Sequence, residues 1–279
     1  MADQHGAAHL TSGMREQADH GEDSYRGQGR LHNKVTVVTG GDSGIGRAVA
    51  LAFAREGADV VIGYLDGEDE DAEETARLVE EAGRRVVPVP GDLTAEEACV
   101  GLVDRAVEEF GRIDVLVNNA AYQLAQPRGI ADITTEQFDR TMKTNLYAMF
   151  WLCKAALPHM RPGSAIINTS SVLASSPSPE LLDYATTKAG IANFTRALAW
   201  SAAEQGVRVN SVAPGPTWTP LVRSTMPEEM VEHFGEQSPL GRAAQPAEVA
   251  TAFVYLASSE SSYVTGEVLA VTGGLPVMA

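Results

Sequence analysis

Residues 35–62 read VTVVTGGDSGIGRAVALAFAREGADVVI, and their order decides the fold. A β-branched run leads into a turn carrying Gly40, Gly44 and Gly46; an alanine-rich amphipathic stretch follows, and a second apolar run closes the segment. Strand, turn, helix and strand in this order form the unit from which parallel sheets are wound. Glycines allow a tight bend and let the backbone approach a pyrophosphate, whose charge then meets free amides at the helix N-terminus. The spacing is G-x-x-x-G-x-G, where the commoner fingerprint is G-x-G-x-x-G. A glycine turn with no ligand is the competing reading, and the strand–turn–helix context favours the phosphate.

Outward from this unit the alternation continues. KVTVV (34–38), ADVVIGY (58–64), RRVVPV (84–89), RIDVLV (112–117), SAIINTS (164–170), VRVNSVA (207–213) and EVLAV (267–271) read as seven strands. Helical patterns lie near 45–56, 70–82, 95–110, 135–160, 182–205 and 246–258. Nearly continuous apolar strands belong in a parallel sheet covered on both faces. The expected fold is therefore α/β: a single Rossmann-type, doubly wound, seven-stranded parallel sheet with helices on both faces. No repeat or linker divides the chain. Residues 1–30 are polar and aperiodic and read as an N-terminal extension, flexible or wrapped on a neighbouring subunit; 31–279 read as one catalytic domain.

Composition excludes several functions. The formal net charge of −16 argues against nucleic acid or an anionic membrane as partner. No apolar run is long enough to span a bilayer and the first thirty residues lack the apolar centre of a secretory signal, so a cytoplasmic location is expected. Nine acids between Asp66 and Glu81 read as a solvated helix face. Cys99 and Cys153 read as buried thiols, and His5, His9 and His20 have no compact metal-site spacing, so no metal is expected.

The chemistry concentrates in three places. Tyr184 and Lys188, in LLDYATTKAG, are four residues apart and share one helical face. Ser171 follows the fifth strand, at the sheet end where ligands bind, and Asn145 lies in KTNLYAMF within the preceding helix. Moving a hydride to or from an alcohol carbon requires a proton to leave or join the oxygen. A phenol is a poor base at neutral pH unless nearby positive charge, here Lys188, lowers its pKa. Taken singly, each residue could be an ordinary helix or turn residue; their joint occurrence behind a glycine turn favours catalysis.

Thr39–Gly46 resembles the cofactor turn of the short-chain dehydrogenase/reductase family, and the resemblance runs along almost all of 31–274. It also rests on Asp92 in GDLT, on Asn118-Asn119-Ala120 (with Ala121 where the family has glycine), on the Tyr184/Lys188 pair and on Pro214-Gly215-Pro216-Thr217. Within the family, SYRGQGRL (24–31) and ASSESSYVTGEV (257–268) resemble a bacterial group with an N-terminal extension, described as glucose- or alcohol-dehydrogenase-like oxidoreductases. The resemblance implies an NAD(P)-dependent oxidoreductase moving hydride between the nicotinamide and a small alcohol, aldehyde or ketone. Tyr184 is then the general acid/base, Ser171 holds the substrate oxygen, Lys188 supports Tyr184 and the nicotinamide ribose, and Asn145 positions a relay water. Cofactor contacts are implied for Thr39, Gly40, Asp42, Ser43, Gly44, Ile45, Gly46, Tyr64, Asp92, Leu93, Asn118, Ala120, Tyr184, Lys188, Pro214, Gly215 and Thr217. The competing class is a catalytically silent dinucleotide-binding sensor or structural protein on the same fold; the intact four-residue set favours the enzyme.

Three further expectations follow. A substrate lid spans 216–240, with Trp218, Leu221, Met226, Met230 and Phe234 as an apolar wall, ordinary helix packing being the equal alternative. A homotetramer, with a dimer second, is expected through 135–160 and 182–205. NAD is expected over NADP: the second strand ends in Tyr64 and the acids beyond it disfavour a 2′-phosphate, while Arg47, the one nearby cation, reads as a solvated helix residue.

Overall fold

The β-branched runs form β1 (Val35–Thr39), β2 (Asp59–Tyr64), β3 (Val86–Pro90), β4 (Ile113–Asn118), β5 (Met160–Thr169), β6 (Arg208–Pro214) and β7 (Val268–Val271). A computed structural model describes residues 10–14 and 16–277. In it the seven strands pair in parallel in the order β3-β2-β1-β4-β5-β6-β7. The expected doubly wound sheet is thus the fold.

Helices α1 (Gly44–Arg55), α2 (Asp69–Glu81), α3 (Glu96–Phe110), α4 (Thr135–Met142), α5 (Ala148–Ala156), α6 (Leu182–Ala202), α7 (Pro220–Thr225), α8 (Glu228–Glu232) and α9 (Pro246–Ala257) complete the layers and the region beyond β6. Alternate strand residues serve opposite faces, so a strand covered on both must be apolar throughout. In β1, Val38 packs into a layer with Phe53 of α1 and Phe253 of α9, while Val37 packs with Leu102 of α3 and Leu152 of α5. Both cysteines are buried, unpaired thiols.

The periodicity predicts one helix over 135–160, but the structure interrupts it with a π turn at Lys143–Tyr147 between α4 and α5. A π turn accommodates one extra residue and marks a place where side chains are re-aimed; the buried Asn145 lies in it. The acidic run is not wholly solvated either. Asp71, on the inner face of α2, is buried against Arg47 of α1 at 2.7 Å.

Residues 16–30 lie along their own chain. The SYRGQGRL motif closes on Glu56 at the end of α1, which takes hydrogen bonds from the Tyr25 hydroxyl (2.5 Å), the Gln28 amide (2.9 Å) and the Arg30 guanidinium (2.7 Å). Burial acts to raise the Glu56 pKa, but these partners hold it at about 2. Gly27 makes the approach possible, since a Cβ there would stand 2.0 Å from the Arg55 carbonyl oxygen. The calls on His5 and His9 lie outside the described residues.

The order of strands reverses between β1 and β4. Loops leaving those two carboxyl ends diverge, and the crevice between them is where an open α/β sheet binds its ligand.

Candidate active site

The glycine turn fills one side of that crevice. Gly40 (φ +61°) and Gly44 (φ +50°) take left-handed conformations that other residues resist. Gly46 is required by space: a Cβ there would lie 1.7 Å from the Gly40 carbonyl oxygen. The Thr39 hydroxyl accepts the amides of Asn119 and Ala120, each at 3.0 Å, and the Asn119 Nδ2 donates back to the Thr39 carbonyl at 3.1 Å. The ends of β1 and β4 are thereby pinned together. Ala121 keeps a negative φ, so the methyl that replaces glycine costs no backbone strain.

Above the pin runs a groove of about 380 Å³, which reaches from Tyr64, Asp92 and Leu93 past Gly40, Asp42, Ser43, Gly44, Ile45 and Ala120 to Tyr184 and Lys188. Thr39 and Gly46 act from beneath it and do not line it. Asn118 corrects the sequence expectation. Two-residue alternation along β4 turns it to the same face as Leu116, where its Nδ2 donates to Asn168 Oδ1 at 2.8 Å and to Cys153 Sγ at 3.4 Å. Asn119, absent from the expected set, is the residue at the groove.

Arg47 is a second correction. It is buried and not solvated: its Nε donates to the Asp42 carbonyl at 2.8 Å and its Nη2 to Asp71 Oδ1 at 2.7 Å. The cation is consumed under the turn because α2 places an acid opposite it. Two carboxyls that line the groove beside it are raised. Burial lifts Asp42 to about 6, with the neighbouring Asp71 adding to the rise, and burial together with Asp42 lifts Glu68 to about 7.

At the far end the groove meets a second cavity of about 510 Å³. Tyr184, Thr169, Ile45, Thr219 and Leu221 line both. The second cavity contains Ser171, Pro214, Gly215 and Thr217, with Leu221, Met226, Met230 and Phe234 from the expected apolar wall. Trp218 is a third correction: it faces the other way, and its Nε1 donates to the Glu16 carbonyl at 3.0 Å. Among the described residues no Lys, Arg, Asp or Glu lines this cavity, and His233 joins Tyr184 as its titratable side chain.

Tyr184 sits between the two spaces. Ser171 hydrogen-bonds it, and the buried Lys188 Nζ lies 5.2 Å from its ring centre and donates to the Thr169 carbonyl at 2.8 Å. Burial pushes the Tyr184 phenol up to about 12, against which the Ser171 hydrogen bond works. Burial alone brings the Lys188 ammonium down to about 7. In the protein by itself burial dominates the phenol; the lowering expected from positive charge involves Lys188 together with an oxidised nicotinamide. Asn145 has its side chain tied into the fold. Its Oδ1 accepts the Tyr122 amide (2.8 Å), while its Nδ2 hydrogens go to the Tyr122 carbonyl (2.9 Å) and the Thr187 hydroxyl (3.0 Å). The side chain thus clasps the loop after β4 to α6, and a water at Asn145 would have to donate to one of its oxygens.

The family model described as enoyl-(acyl carrier protein) reductase matches residues 40–276. An uncharacterised oxidoreductase of Bacillus subtilis (strain 168) is 51% identical over 253 residues, covering 91% of this chain and 87% of that protein. Glucose and ribitol dehydrogenase homolog 2 of Arabidopsis thaliana is 49% identical over 262 residues, covering 92% and 90%. Among solved structures, a short-chain dehydrogenase from Burkholderia cenocepacia J2315 in complex with NADP superposes with a TM-score of 0.82 at 31% identity, covering 88% of this chain and 99% of that one.

Proposed function

The chain belongs to the short-chain dehydrogenase/reductase family, and from that premise we propose that it moves a hydride between a nicotinamide dinucleotide and a small, uncharged alcohol, aldehyde or ketone. The observation that carries the reading is the meeting of two cavities at Tyr184. The groove fits a dinucleotide: it offers a glycine cradle, backbone amides at the start of α1, and a buried ammonium with hydrogens beyond the one given to Thr169. The second cavity, apolar with hydroxyls, amides and the His233 imidazole but no carboxylate or ammonium among the described residues, suits a neutral substrate.

When bound, the nicotinamide accepts or supplies the hydride. The protein's part is the proton. In the oxidation direction Tyr184 Oη takes the substrate hydroxyl proton as the hydride leaves carbon; in reduction it returns that proton to the carbonyl oxygen. Ser171 hydrogen-bonds Tyr184 and faces the substrate cavity, which suits it to hold the same oxygen. Lys188, close under the ring, favours phenolate whenever it is charged.

NAD is the proposed cofactor. Tyr64, Asp66, Glu68 and Asp42 line the ribose end, and the nearest buried cation, Arg47, is spent on Asp71. A 2′-phosphate would enter beside these carboxyls with Arg47 already engaged, whereas a 2′-hydroxyl can donate to them; the guanidinium of Arg140, which also lines the groove, stacks on the Tyr122 ring. The NADP held by the Burkholderia cenocepacia enzyme is the counter-case. We take 31–279 as the catalytic domain, with 216–240 as its lid, and a homotetramer as the assembly. Exposed Tyr147, Phe150 and Trp200, on the segments 135–160 and 182–205, support such pairing. The test is turnover of a panel of alcohols, sugars and aldehydes with NADH and NADPH in parallel. No turnover of any member, or a clear preference for NADPH, overturns the corresponding part.

A further inference from the structure

Residues 10–14 and 16–20 have no part in hydride transfer, yet Thr11, Met14, Ala18 and His20 are buried. Two sets of this segment's contacts lead to walls of the groove. At one end the Thr11 amide donates to Asp71 Oδ2 at 2.8 Å. The other Asp71 oxygen holds Arg47 at 2.7 Å, and Arg47 Nε holds the Asp42 carbonyl in the glycine turn at 2.8 Å. Three links thus join the segment to the cofactor cradle.

The segment also meets the opposite wall. The Arg223 guanidinium donates to the Gly13 carbonyl and the Trp218 indole to the Glu16 carbonyl at 3.0 Å. An anchor follows at α9, where the Asp19 amide donates to Gln245 Oε1 at 2.9 Å and the Ala247 amide to the Asp19 carbonyl at 3.0 Å. Trp218 and Arg223 flank or belong to α7, whose inner residues Leu221 and Thr219 line both cavities. A helix of six residues has no stability of its own, and its inner side faces open space. Its C-terminal end is held by Gln123 and Ala125, which bond the Thr225 hydroxyl and carbonyl, and its outer side by the leading segment, which meets Trp218 and Arg223.

We infer that residues 10–14 and 16–20 are a strap that positions α7 over the groove, with Trp218 and Arg223 as the positioning residues through which it acts. Cofactor affinity then depends on a segment that touches no cofactor. The inference rests on the groove assigned above but not on the role of Tyr184, and one arm of its test needs no ligand.

Three forms of the full chain and one shortened form decide it. Trp218→Phe combined with Arg223→Met keeps the bulk and removes both donors; NADH binding, followed by fluorescence titration, should weaken roughly 5- to 10-fold, the scale of one to two hydrogen bonds. Trp218→Phe combined with Arg223→Lys retains one donor and should recover most of that loss. A chain lacking residues 1–18 should be cut by trypsin after Arg223 much faster than the full chain, with or without NADH. If the shortened chain does not fold, the same cleavage is read on Trp218→Phe alone, which removes one donor to the segment and keeps Arg223. Unchanged NADH affinity together with unchanged cleavage at Arg223 overturns the strap. A wild-type chain that binds neither NADH nor NADPH overturns the groove reading instead, and the cleavage rate alone then decides the strap.

Discussion

The two cavities that meet at Tyr184 are built by opposite means. The cofactor groove rests on backbone and short polar side chains: glycines with no room for a Cβ, Thr39 and Asn119 pinning β1 to β4, and Asn145 clasping the next loop. The substrate cavity rests on long apolar side chains of a short helical region, Leu221, Met226, Met230 and Phe234. Hydrogen-bonded backbone has few alternative arrangements, whereas Met and Leu repack at small cost. One side is suited to holding its ligand in a single pose, and the other to adjusting its shape.

The largest expected effect falls where the two sides meet. Tyr184→Phe should lower turnover by about 10²- to 10⁴-fold while NADH affinity stays within a few-fold, the range of general acid/base catalysis. Near wild-type turnover at neutral pH would remove Tyr184 from the chemistry. On the rigid side, Gly46→Ala should weaken NADH binding by about 100-fold, because overpacking of up to about 3 kcal/mol has no relief against the Gly40 carbonyl. Circular dichroism should show the fold retained; binding within a few-fold of wild type would mean that the turn is soft and the contrast false.

Charge at the ribose end should give a smaller response. Glu68→Gln removes a carboxyl that lines the groove and should tighten NADPH roughly tenfold while leaving NADH little changed. An equal effect on both cofactors would place Glu68 away from the 2′ position. The adaptable side should respond least: Met230→Ala should change KM for the best carbonyl substrate by a few-fold with NADH affinity unaltered.

Lys188 exposes what the rigid side costs. Its folded pKa of about 7 lies below the ordinary lysine value of 10.5, so between those values the unfolded chain binds more protons and stability rises with pH. The penalty is complete below pH about 7 and vanishes towards about 10.5. Lys188→Met should therefore melt higher than wild type at pH about 7, and the gap should shrink by pH about 9.5. A gap that is constant or grows with pH contradicts the buried charge.

Legibility in the sequence follows the range of each interaction. The seven strands and the glycine turn depend on local β-branching and on residues within one unit, and they are readable directly. Tyr184 and Lys188 are readable because helix spacing is local. Asn118 is misread for a local reason: strand alternation was available and points it away from the groove. The π turn is hidden because it leaves the apolar periodicity nearly intact and shifts it by a single residue. Arg47 and Asp71 look solvated singly, and only the packing of α1 on α2 makes them one buried pair. Trp218 fits an apolar wall by composition, but its indole N–H finds an acceptor 202 positions earlier.

That last separation bears on how the molecule is made. Residues 10–20 leave the ribosome before every group they dock on, and the farthest of these, Gln245 and Ala247, come near the end of the 279-residue chain. Local units can assemble as they emerge, but a contact of this span must wait until α9 has been made and then close a loop of 226 residues. The polar character of this stretch suits that wait. It is translated before every group that holds it, so it cannot take its place until Ala247 has been made.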